Sequence, residues 1–175
     1  TGIPAPMRVE DKIFIGLIYF QPQQQRQLYC KQLLHEDERP YFSEAQEQVI
    51  FQLGEQKITP AICYESLQEQ HAERCHALGA DVYLASVAKP QRGIQKATQH
   101  YPYIAKKFDF PVMMVNNIGP CDNFVGAGQS GVWSASGDCL LQMPANAEGL
   151  LIFDTRTAAV QCVEWTPLNF KKKLS

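Results

Sequence analysis

Two side chains in this sequence stand where covalent chemistry could be done. Cys63 ends the apolar run Ile58–Cys63 of the segment ITPAICYE, directly before a predicted helix. A thiol at a strand end faces the helix's N-terminal amides and positive dipole end, which favour a thiolate and later an oxyanion. The placement follows the logic of the hydrolase nucleophile elbow, although no G-x-S-x-G pattern is present. Most strand-end cysteines are merely packed, so the reading needs a partner. Lys31 supplies one: it closes a second strand in the segment YCKQLLHEDERPYF. Lysines at strand ends commonly point to solvent. Next to Cys63, an ammonium would favour the thiolate and then stabilise developing negative charge. Glu36, Asp37 and Glu38 follow. Such a cluster is ordinarily a solvated loop, but one of the three could orient Lys31 or take part in proton transfer.

The surrounding chain must bury a core that holds these groups. Its 175 residues are 45% hydrophobic and 19% charged, with a formal charge of −2, which fits a globular domain with a sizeable core. No basic face suggests nucleic acid. The Lys171–Lys173 cluster reads as a solvated tail. No apolar stretch reaches the ~18 residues of a membrane span. The first residues are not built like a signal peptide, so the expected compartment is the reducing cytoplasm. The six cysteines include no CxxC and no metal-ligand spacing, which argues against zinc and against a dithiol redox protein.

The pattern of elements is α/β. Lys12–Gln21 and Arg26–Lys31 read as a hairpin, and Gln48–Leu53 with Lys57–Cys63 as another turning at Gly54. A helix is expected from about Ser66 to Leu78, stopped by Gly79. Asp81–Val87 and Pro111–Asn117 are apolar strands flanking a helix over Gln91–Phe108, with Pro102 as a possible break. Strand, helix, apolar strand, helix, apolar strand is the mark of a mixed α/β domain. Short strands follow, ending at Gly149–Phe153, and residues 155–175 read as an extended tail on a single domain. Tyr64 and Glu65, next to Cys63, and Val87 and Ala88, at the end of the next strand, are candidates for lining a pocket; plain packing is the competing reading for Val87 and Ala88. Asn116 and Asn117 are expected to satisfy loop backbone groups.

These segments, taken in order, resemble the carbon–nitrogen hydrolase (nitrilase/amidase) superfamily. The resemblance rests on Lys31 with its acidic loop, Cys63-Tyr64-Glu65, HALGADVYLASV, IAKKFDFPVMMVNNIG, FVGAGQSGVWSASG and EGLLIFD, and covers Lys12 to Asp154. It implies a four-layer α-β-β-α sandwich, incomplete at the N-terminus, that forms homodimers or higher homo-oligomers. It also implies Cys63 as nucleophile, Lys31 as its cationic partner and Glu38, with Glu36 as the alternative, as an additional carboxylate. The general-base glutamate is expected upstream of Thr1. The implied reaction is hydrolysis of a small-molecule amide or nitrile through a thioester, with no cofactor and no metal. Two other readings remain open: transfer of the acyl group to an amine, and a catalytically inactive binding or regulatory subunit on the same scaffold.

Overall fold

The computed structural model describes residues 2–165, which divide into two compact units between Val87 and Ala88. The first unit opens with three antiparallel strands in the order β1-β2-β3: β1 (Gly2–Val9), β2 (Lys12–Tyr19) and β3 (Gln27–Cys30). Strand β1 was not expected, because prolines at 4 and 6 argue against a strand. They are tolerated here because β1 is an edge strand, where a missing N–H costs no ladder bond. A turn at Glu10-Asp11 joins β1 to β2, with Glu10 at φ 54°.

A second set of strands follows: β4 (Phe51–Leu53), β5 (Gln56–Ile62) and β6 (Val82–Val87), in the order β6-β5-β4. β4 and β5 form the expected hairpin, with Gly54 at φ 60°. β5 and β6 are parallel, from Ile58 opposite Val82 to Ile62 opposite Ser86. Such a pair needs a crossover, and helix α1 (Glu69–Ala77) supplies it, followed by Gly79 at φ 79°. Pro60 sits inside β5 without loss. β4 has ended by Ile58, and Pro60 faces that vacated side, where its carbonyl accepts from Gln48 Nε2 at 3.2 Å. Leu17 and Tyr29 of the first sheet pack with Phe51 and Ile62 of the second, and Cys63 lies against this cluster. The rings of Tyr19 and Phe51 stack at 4.5 Å.

The second unit is built on helix α2 (Gln91–Phe108). Ile94, Ala97, Tyr101, Ile104, Ala105 and Phe108 form its buried stripe at helical spacing. Pro102 lies inside the helix without ending it; it removes one N–H, and the rest of the stripe still packs. Beyond the helix, β7 (Val112–Asn116) pairs antiparallel with β10 (Gly131–Trp133), and β10 with β11 (Cys139–Gln142). Two hairpins complete the unit: β8 (Ile118–Cys121) with β9 (Phe124–Ala127), and β12 (Gly149–Phe153) with β13 (Val160–Glu164). Residues 160–164 of the expected tail are therefore a paired strand, and Phe170 and Lys171–Lys173 lie outside the described residues. No described helix is long and apolar enough to cross a membrane.

Candidate functional site

Lys31 follows β3, and its backbone is held from both sides. Its N–H donates to the Ile15 carbonyl at 2.8 Å, and its carbonyl accepts from Ala45 N–H at 3.0 Å. The side chain is fully buried, and its ammonium donates to both carboxylate oxygens of Glu38 at 2.6 Å. Glu38 stands in a turn closed by its own N–H on the His35 carbonyl, and its Oε2 also accepts from His35 N–H at 2.7 Å. It is the member of the acidic cluster that meets Lys31, and Glu36 is exposed. Asp37 pairs instead with the His35 ring at 2.7 Å, a hydrogen bond that holds its carboxyl below the ordinary value.

Cys63 directly follows β5 and has φ 50°, in the left-handed region that a residue with a Cβ enters at a cost on the order of 1–3 kcal/mol. It opens a 3-10 turn, Cys63–Leu67, and its carbonyl accepts from Ser66 Oγ at 2.6 Å. The α-helix expected next to it begins only at Glu69. The amides immediately following Cys63 are therefore those of the 3-10 turn. Tyr64 is half-buried and stands edge-on to the His35 ring at 5.2 Å.

Glu65 departs from the pocket-lining expectation. It is fully buried, and four donors occupy its carboxylate. Oε1 accepts from Ile62 N–H at 2.7 Å and Tyr29 O–H at 2.6 Å; Oε2 accepts from Gln32 N–H at 2.7 Å and Leu33 N–H at 3.2 Å. Burial pushes its carboxyl above the ordinary value, and these hydrogen bonds pull against that. Val87 is buried at the end of its strand, and Ala88 begins the second unit. Asn116 holds backbone as expected: Oδ1 accepts from Lys89 N–H, and Nδ2 donates to the Lys89 and Gly128 carbonyls.

Behind Glu65 lies a network that sequence reasoning missed. Tyr29 Oη stands 3.0 Å from His71 Nε2, and His71 Nδ1 stands 2.8 Å from Tyr83 Oη. Gln32 Nε2 donates to Tyr29 Oη at 3.2 Å and to Gln48 Oε1, and Arg74 donates to Gln32 Oε1. Burial lowers the His71 imidazole to about 4, helped by Arg74, and raises the Cys75 thiol to about 12. The one signal in the sequence was helical spacing, since His71, Ala72 and Cys75 share the buried face of α1. Among the described residues no group of three or more His, Cys, Asp or Glu side chains is arranged to hold a metal.

The model of the carbon–nitrogen hydrolase family matches residues 3–164. The chain belongs to this family. Solved structures share its fold. A glutamine-dependent NAD+ synthetase from Acinetobacter baumannii matches at 23% identity and TM-score 0.83, over 95% of this chain and 33% of that one. A carbon–nitrogen hydrolase superfamily protein from Xanthomonas campestris, with an arsenic adduct in its active site, matches at 17% identity and TM-score 0.74, over 98% and 64%. An amidase from Nesterenkonia sp. AN1, with the acetamide moiety of fluoroacetamide added covalently at its active-site cysteine, matches at 16% identity and TM-score 0.74, over 99% and 66%. The chain thus spans a third of the synthetase and about two thirds of the other two. No curated protein sequence matches it. At these identities the likeness shows the fold, which is the carbon–nitrogen hydrolase fold inferred from the sequence segments.

Proposed function

We propose that this carbon–nitrogen hydrolase cleaves linear small-molecule amides through a thioester on Cys63, with Lys31 stabilising the oxyanion. The observation that carries the reading is the strained turn at Cys63 in the same unit as a fully buried lysine paired with Glu38. A backbone held at positive φ costs free energy and is kept where the surroundings over-determine it, commonly at functional positions.

The Cys63 proton passes to a general base, a glutamate by the family resemblance. The thiolate sulfur bonds to the amide carbon, and the carbonyl oxygen takes the negative charge. Lys31 Nζ and the Tyr64 backbone N–H stabilise that oxygen, each donor contributing typically ~3–4 kcal/mol. The tetrahedral intermediate collapses, and the amine leaves with the proton from the base. Water, deprotonated by the same base, attacks the thioester and releases the acid and the thiol. Glu38 keeps the ammonium aimed.

The test is alkylation and turnover in the complete protein. Iodoacetamide is expected to label Cys63 ahead of the five other cysteines, and Cys63→Ala to abolish amide turnover. Uniform labelling, or turnover that survives Cys63→Ala, defeats the proposal. The likeness to a glutamine-dependent synthetase favours glutamine as one amide to assay. Release of glutamate and ammonia from glutamine would support that narrower reading. Cleavage of short aliphatic amides without it would oppose it.

A further inference from the structure

We propose that Glu65 is the positioning residue of this site, a buried carboxylate that keeps the Cys63 turn and the Lys31 strand end in register. This rests on the Cys63/Lys31 reading above. The two segments lie far apart in the chain, on strands of different sheets. Glu65 reaches both. Oε1 binds the N–H of Ile62, the residue before Cys63, and Oε2 binds the N–H groups of Gln32 and Leu33, the two residues after Lys31. The Gln32 N–H belongs to the peptide that joins it to Lys31, and the Ile62 and Leu33 N–H groups each lie one peptide further from the reactive residue. One side chain therefore sets the separation of thiol and ammonium without touching either.

The hydrogen-bond directions leave little freedom. The carboxylate meets four donors and no acceptor, so it is ionised where it sits. Tyr29 spends its one proton on Oε1, so its oxygen must accept from His71. His71 is then the neutral tautomer with hydrogen on Nε2, and Nδ1 accepts the Tyr83 hydroxyl proton. Tyr83 to His71 to Tyr29 to Glu65 is a one-way chain that orients the carboxylate from behind. A carboxylate needed only to satisfy stray amides would not require this second rank of buried partners.

The test compares Glu65→Gln with wild type in the complete protein, well below both melting temperatures. Gln keeps the shape but must turn an NH2 toward one pair of donors, freeing one of the two segments. The expected result is that Cys63 alkylation by iodoacetamide falls about tenfold or more, as displacement of a reacting group by a fraction of an ångström to an ångström does. Cys75, buried in the same unit, should stay protected, and turnover should fall in kcat with KM little changed. A merely structural Glu65 would lower the melting temperature and leave the alkylation rate and kcat of the folded protein unchanged, which overturns the proposal. If Glu65→Gln does not fold, Tyr29→Phe decides. It leaves the three backbone bonds in place and removes the orienting chain, so it should slow both rates by a few-fold, and wild-type rates would overturn the proposal. Failure of the underlying reading shows separately, in the wild type, as Cys63 reacting no faster than the other cysteines.

Discussion

His71 offers the sharpest test of the buried network. Burial lowers its imidazole from 6.5 to about 4, with Arg74 adding to the shift, and the side chain is 2% exposed. Glu65 stands near it, with Oε2 at 3.9 Å from Nε2, and Tyr29, Tyr83 and Cys75 complete its surroundings. In the unfolded chain the ring takes a proton near 6.5; in the fold it does so only near 4. Between those values the unfolded state binds more protons, so stability is complete above about 6.5 and is lost as pH falls. From pH 7 to pH 5 the loss is about 2 kcal/mol, and by pH 4 about 3 kcal/mol. Glu65, raised by burial, works with the opposite sign, its contribution fading as pH rises through its folded value. Urea unfolding of wild type and His71→Gln at several pH values separates these contributions, because groups common to both proteins largely cancel in the difference. Gln retains an N–H for Tyr29 and never titrates. The variant should be less stable than wild type at pH 7, and the gap should narrow by about 2 kcal/mol at pH 5. Parallel curves would refute a His71 held neutral, and with it the one-way chain onto Glu65.

Three further outcomes are expected. Glu38→Ala strips the fully buried Lys31 ammonium of its carboxylate and should cost about 3–5 kcal/mol, whereas Lys31→Met leaves Glu38, 23% exposed, free to turn to water and should cost about 1 kcal/mol; equal costs by urea denaturation would contradict the burial asymmetry. Asn116→Ala takes away the partner of three backbone groups of Lys89 and Gly128 and should destabilise by about 2–4 kcal/mol, read from the denaturation midpoint. Gly137→Ala should lower the melting temperature, since Gly137 sits at φ 89° and an added Cβ would meet the Pro102 carbonyl oxygen at 2.7 Å.

What the sequence revealed depended on how local the signal was. The apolar runs of β5, β6 and β7 and the stripe of α2 are read from neighbours a few residues apart, and the structure has them within a residue or two. Gly54 and Gly79 marked their turns because each adopts positive φ. β1 was hidden because its prolines are acceptable only at a sheet edge, and edge position is a property of the assembled sheet. β13 was hidden because its exposed and half-buried residues carry no strong alternation. For the site, strand ends pointed to Cys63 and Lys31, and the acidic cluster held the carboxylate that meets Lys31. Glu65 was misjudged for a geometrical reason. A neighbour of the nucleophile seems bound to face the same cavity, but a 3-10 turn advances each residue by about a third of a revolution. Two residues on, the side chain has swung away from Cys63 and into the core.

The same geometry accounts for how Cys63 stays strained. Left alone, a residue with φ 50° would relax toward an ordinary region and carry its side chain with it. On one side of Cys63, the Ile62 N–H is fixed to Glu65; on the other, the Cys63 carbonyl is fixed by Ser66 Oγ. Both anchors belong to the 3-10 turn that Cys63 itself begins. The turn therefore closes on its own first residue, and Glu65 extends the hold to the lysine strand. Burying a carboxylate is costly unless every oxygen is matched. Here both oxygens are matched twice, three times by backbone that must be held and once by the tyrosine that orients the group.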